Sequence, residues 1–108
     1  MRYLRLVIPV LPVTAMALFP FVLFDRRDRA FDQILLRHEQ IHLRQQIELL
    51  VLPFYLMYAY YYLKGRFKGN SAKAAYRAIP FEREAYLHEA SSDYLNSRCR
   101  FAWMKYRK

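Results

Sequence analysis

Hydrophobic and polar positions change rhythm several times along this chain. Residues 1–24 are mostly apolar but broken by Pro9, Pro12 and Pro20. Short apolar runs bounded by proline predict two strands, about 4–9 and 16–24, joined near Pro12 as a β-hairpin. Pro9 and Pro20 then belong at edge or bulge positions, because proline cannot donate to a ladder. The charged stretch Asp25–Arg29 reads as a turn, and Asp28 or Asp32 can cap the helix after it. From Ala30 to Leu50 no Pro or Gly intervenes, and Ile34, Leu35, Ile41, Leu49 and Leu50 recur near helical spacing. That pattern predicts a helix over 30–50. Leu49–Leu63 carries no charge and five tyrosines, and it is shorter than the roughly twenty residues of a bilayer-spanning helix. It predicts a helix over 51–64, either packed on the first helix or lying on a membrane surface, with Pro53 in its first turn. Gly65–Ser71 holds both glycines and reads as a loop, and Ala72–Arg77 as a short helical turn. Pro80 starts a further helix over 80–97, with Glu82 and Glu84 at the positive end of its dipole. Arg98–Lys108 extends that helix or forms a short final one. The expected fold is α+β, mainly helical: a short N-terminal β-hairpin followed by three to four helices in one domain over 1–108.

Composition changes this picture in two respects. Apolar residues make up 56% of the 108, with 10 Tyr, 8 Phe and 1 Trp. That is above the usual share, enough for a core with apolar surface left over for a partner, a membrane or a second copy. The charge of +9 is uneven: residues 1–63 hold seven basic and five acidic groups, residues 64–108 eleven and four. Arg98, Arg100, Lys105, Arg107 and Lys108 interleave with Phe101, Trp103 and Tyr106. No nucleic-acid motif accompanies them, so a solvated helix face is expected before a nucleic-acid contact, and an anionic membrane surface remains an expected partner. Arg2 and Arg5 before Leu6–Val13, then Ala15-Met16-Ala17, imitate a signal peptide. Two prolines interrupt its apolar core and the run Phe19–Phe24 comes at once after it, so the expectation is a cytoplasmic protein, placed at most at the inner face of the membrane. The single cysteine, Cys99, excludes an internal disulfide and is expected as packing filler.

The chemistry concentrates at His38-Glu39-Gln40-Ile41-His42, an HExxH sequence. Residues four apart share a helix face, so both imidazoles can converge on one ion, while Glu39, one position round, can act as base instead of ligand. A third protein ligand is needed. Position 45 is Gln45 and position 48 is Glu48, so the longer HExxHxxGxxH form is absent. The remaining histidine, His88, lies in the later helix within Phe81-Glu82-Arg83-Glu84-Ala85-Tyr86-Leu87-His88-Glu89.

With these residues the chain resembles the gluzincin group of zinc metallopeptidases, in which a glutamate from a later helix, often as Glu-x-x-Ala followed by Asp or Asn, completes the HExxH site. Glu82-Arg83-Glu84-Ala85 matches that pattern, with Tyr86 in place of the Asp. More narrowly, the chain is similar to small stand-alone HExxH proteins in which HExIHxxQQxE precedes an FEREAY-like segment. The resemblance covers roughly residues 30–95 and implies a zincin-like minimal core. It further implies that Zn²⁺ is held by His38, His42 and Glu82, and that peptide bonds are hydrolysed with Glu39 as general base. Glu84, about 200° round the helix from Glu82, is the competing third ligand. The Asp that the pattern lacks orients a zinc-bound histidine, a task left to Tyr86 or Glu89. Tyr76, Tyr86, His88 and Tyr94 are all candidate oxyanion donors, and the strand Ala17–Phe24 offers an edge for an extended peptide or protein substrate. The alternatives are a catalytically inactive zinc-binding protein and a membrane-surface or partner-binding helical protein.

Overall fold

A computed structural model describes residues 3–107. Arg2 of the expected basic N-terminal pair and Lys108 of the expected C-terminal helix lie outside the described residues. The N-terminal region forms three strands, β1 (Leu4–Val7), β2 (Ala15–Leu18) and β3 (Phe21–Phe24), in the order β1-β3-β2. The hairpin is therefore not the expected one. β2 and β3 pair antiparallel from Leu18↔Phe21 to Ala15↔Phe24, and β1 joins the other side of β3 in parallel, Leu4↔Phe21 to Val7↔Phe24. The expected strand 16–24 is split by the turn at Phe19-Pro20, where a residue without an N–H ends the run. Pro9 likewise comes after β1 in a turn instead of sitting in a strand. As the central strand, β3 is the buried one, with Val22 and Phe24 packed on Ala17, Ala30, Leu36 and Leu43.

A 3₁₀ turn (Arg27–Phe31) leads into α1 (Gln33–Leu49). Of the two candidate caps Asp32 is used: its Oδ1 accepts from the N–H groups of Ile34 and Leu35 at 3.1 and 3.2 Å. Asp28 instead pairs with Arg26. One residue, Leu50, separates α1 from α2 (Val51–Phe67). Gly65, expected in a loop, lies inside α2 because the helix passes close to Ala75: a Cβ there would sit 3.0 Å from the Ala75 Cβ. The helix stops at the other glycine. Gly69 takes φ +95°, its N–H reaches the Arg66 carbonyl, and the Asn70 N–H reaches the Gly65 carbonyl at 3.1 Å. These are the paired bonds of a Schellman ending.

The next helices are α3 (Ala72–Ala78), capped by Ser71, and α4 (Pro80–His88), with proline at its first position. The helix expected over 80–97 is broken. α4 ends at His88, residues 89–93 turn, and α5 covers only Tyr94–Ser97. Ser91, Ser92 and Asp93 occupy the break, residue types whose short polar side chains compete for backbone hydrogen bonds. A second 3₁₀ turn, Ala102–Tyr106, stands where a final helix was expected, and it brings Trp103 onto Phe81 at 4.8 Å between ring centroids. Phe54, Ile79, Phe81 and Trp103 form the second core cluster, with Tyr55, Tyr58, Tyr61 and Tyr62 against it. Cys99 is exposed and not packing filler.

Leu50 carries a testable cost. Its φ of 66° and ψ of 156° fall in backbone space essentially confined to glycine, while its side chain is 69% exposed. Leu50→Gly relieves the strain and loses little packing, so urea denaturation is expected to show a gain of about 1 kcal/mol after glycine's own entropic cost.

Candidate metal centre

Two helices build one cluster. α1 places His38 and His42 one turn apart, and α4, packed against α1 and with Ala85 fully buried, brings Glu82 between them. Glu82 Oε1 lies 2.9 Å from His38 Nε2 and 3.1 Å from His42 Nε2. The three ligand atoms fall within 4.8 Å of one another and all three residues are buried. Two imidazole nitrogens and a carboxylate oxygen converging in this way are close enough to bind one metal ion. The donor set suits a borderline divalent metal and leaves a coordination position for a non-protein group.

The ligands are held from behind. Tyr58, on α2, donates to Glu82 Oε2 at 2.6 Å. His42 Nδ1–H donates to Gln45 Oε1 at 2.8 Å. The Gln45 amide cannot reverse, because its Nε2 donates to the Phe81 carbonyl at 3.1 Å and to Glu84 Oε1 at 3.0 Å. His42 is thereby fixed with Nε2 toward the cluster. Tyr86 packs its ring edge-on against His38, 4.4 Å between centroids, and Glu89 Oε2 stands 3.8 Å from His38 Nδ1.

Glu84 does not join the ligands. It is fully buried on the opposite side of α4, where it accepts from Gln45, from Tyr94 at 2.6 Å and from Arg98. Arg98 also clasps Glu48 through two nitrogens, at 2.7 and 3.2 Å. His88 and Tyr94, expected as donors toward the cluster, stack on each other at 3.8 Å, with His88 Nε2 3.0 Å from the Tyr106 hydroxyl. Neither lines the cleft, because His88 leaves α4 toward Tyr94 of α5 and Tyr106 of the C-terminal turn.

The cleft itself measures about 540 Å³ and is bordered by β2, α1, α2, α3 and α4, within the range of small-molecule and peptide sites. Tyr76 and Tyr86 both line it, with their hydroxyls 2.9 Å apart. Glu39 lines it too, buried, and no hydrogen bond engages its carboxylate among the described residues. Burial pushes its pKa up, and the nearby His42 and His38 only partly offset this. Burial acts on Glu82 in the same direction but is overridden by His42 and His38, which hold it well below the carboxylate range. Burial disfavours charge on His42, yet Glu82 raises its pKa to about 9, and metal and proton therefore compete for this nitrogen. Burial also raises the pKa of Tyr76 far above the ordinary phenol value, so its hydroxyl remains a donor.

Comparison with protein-family models, with curated proteins and with solved structures finds no match. Fold and site together describe a small α+β protein with a buried two-histidine, one-carboxylate cluster close enough to bind a metal ion.

Sequence reasoning missed Tyr58, Arg98 and the bridging role of Gln45. Only Gln45 had a local signal, being three residues from His42 and so on its helix face.

Two outcomes are expected of this arrangement. Gln45→Leu keeps the side-chain bulk but frees His42, and is expected to weaken metal binding 10–100-fold in competition with a chromophoric chelator. Arg98→Ala leaves Glu84 buried without its cation and is expected to cost about 3–5 kcal/mol at neutral pH. Burial raises the Glu84 pKa, but Arg98, Tyr94 and Gln45 together hold it below the ordinary value. Its contribution is thus complete above about pH 4.3 and is lost as pH falls through the folded-state pKa. The gap between wild type and Arg98→Ala should accordingly narrow in acid, as read by urea denaturation at both ends.

Proposed function

We propose that this protein is a zinc-dependent peptidase. The observation that carries the reading is Glu39: a buried carboxylate with no hydrogen bond in the described structure, one residue from a ligand histidine and on the same cleft as His38, His42 and Glu82. A structural metal site has no use for such a group. A zinc ion held by His38, His42 and Glu82 supplies Lewis acidity toward a substrate carbonyl and lowers the pKa of a water toward about 7. Glu39 takes a proton from the attacking water and delivers it to the leaving amine. In the Tyr76–Tyr86 hydroxyl pair one hydroxyl donates to the other, which leaves the second proton available for the developing oxyanion.

The sheet supports the same reading after one correction. β3 is paired on both sides, so Ala17–Phe24 cannot as a whole present an edge; the free edge beside the cleft belongs to β2. Part of that edge is already paired. Gln46 Nε2 donates to the Ala17 carbonyl at 2.8 Å while the Phe19 N–H donates to Gln46 Oε1 at 2.7 Å, as a neighbouring peptide unit would. The Ala17 carbonyl also accepts from the Tyr55 hydroxyl. In this reading an extended peptide adds to the strand upstream, where Val13, Thr14 and Ala15 line the cleft.

Elemental analysis is expected to find about one zinc per chain, lost in His38→Ala, His42→Ala and Glu82→Ala but kept in Glu39→Gln and Tyr76→Phe. Against a peptide library read by mass spectrometry, Glu39→Gln should abolish cleavage, and Tyr76→Phe should slow it about 10²–10³-fold if it is the oxyanion donor. Protein without stoichiometric metal sinks the whole reading. Full zinc with no cleavage of any peptide leaves a zinc-binding protein without turnover.

A further inference from the structure

As far as Leu63, α2 is uncharged around its whole circumference, yet only one side of it is buried. Phe54, Tyr58, Tyr61 and Gly65 face the core. On the opposite side Leu52 is 69% exposed, Leu56 64%, Tyr60 59%, Leu63 51% and Phe67 86%. At 100° per residue these five fall within about 80° of the circumference, and at 1.5 Å per residue they run about 22 Å along the axis. The same projection puts Arg66 on one border of the stripe and Lys64 on the other, both exposed, with exposed Lys68 just past the helix end. Between Leu49 and Phe81 the chain has five basic residues, Lys64, Arg66, Lys68, Lys73 and Arg77, and no acidic one.

We propose that this face of α2 docks the protein on an anionic membrane surface, with the stripe sunk into the headgroup and acyl boundary and the flanking cations on lipid phosphates. An apolar face bordered by long cationic side chains is the arrangement of an interfacial helix, whose aliphatic stems track the apolar residues inward while their charges stay at headgroup level. Tyr60 fits that boundary, with its ring in the apolar layer and its hydroxyl in water. The mode is lying on, not crossing, because no helix among the described residues is long and apolar enough to span a membrane. A second copy of the chain is a poorer occupant. Whether two α2 helices pair parallel or antiparallel, neither offers a carboxylate to the other's Lys64, Arg66 and Lys68. The cleft is lined from other parts of the α2 circumference, by Tyr55 about 100° and Tyr58 about 160° round from the centre of the stripe.

The test is co-sedimentation of the full chain with mixed phosphatidylcholine and phosphatidylglycerol vesicles, at low and at raised salt. Binding is expected at low salt, weakening as salt rises, and far weaker on pure phosphatidylcholine. Lys64→Gln, Arg66→Gln and Lys68→Gln together should lower partitioning about a hundredfold, and Leu56→Glu with Leu63→Glu at least as much. These positions are exposed, so circular dichroism and thermal melting should match wild type in every variant. Absence of binding at low salt overturns the proposal, as does binding indifferent to both variant sets. Sedimentation equilibrium that finds a dimer dissolved by Leu56→Glu and Leu63→Glu, without vesicle binding, assigns the stripe to a second copy and overturns it too.

Discussion

Two carboxylates two residues apart on a nine-residue helix, both taken out of water and facing opposite ways, constrain everything else here. An unpaired buried charge costs several kcal/mol, so Glu82 and Glu84 each require a complete set of partners. For Glu82 these are His38, His42 and Tyr58, and with the two histidines it forms the group close enough to bind a metal ion. For Glu84 they are Arg98, Tyr94 and Gln45, and they draw the C-terminal segment back onto the helices. Gln45 belongs to both sets. Its amide donates to Glu84 and accepts from His42, so the electrostatic balance on one side of α4 orients a ligand on the other.

Most of this was legible where chemistry and helical geometry are local. The HExxH spacing sets its own geometry on α1, and Ala85 three residues after Glu82 marks a close crossing, which separates Glu82 from Glu84 as the structure does. Glu89 beside His38 is a consequence of sharing the Glu82 face. The errors came where the outcome depends on contacts distant in sequence. Nothing near Leu4 announces that its partner strand is β3 and not β2. Nothing near Tyr58, one of five tyrosines in a short apolar run, distinguishes it as the one that holds a ligand. His88 offered the right side chain, but its ring turns toward Tyr94 and Tyr106. Gly65 read as a loop residue because a glycine demanded by a helix crossing looks in sequence like one demanded by a turn; only Gly69 is the latter.

α2 joins the two ends of the functional reading. One face carries Tyr55 and Tyr58 to the cleft, and the other shows Leu56 and Leu63 to the outside. A helix so apolar would be ordinary in the centre of a larger protein, where both faces are covered. Among the described residues no second layer covers it.

Arg98 has a further consequence, one of timing. It clasps Glu48 across 50 residues of chain and Glu84 across 14. During synthesis both histidines of α1 leave the ribosome long before this guanidinium exists. Until it arrives, packing α4 onto α1 means burying Glu84 without a cation, and the early chain has good reason to leave that interface open. The His38, His42 and Glu82 group is thus tied to a guanidinium made after all three of its members, so a nascent chain that has not yet reached Arg98 carries the motif without the packed site.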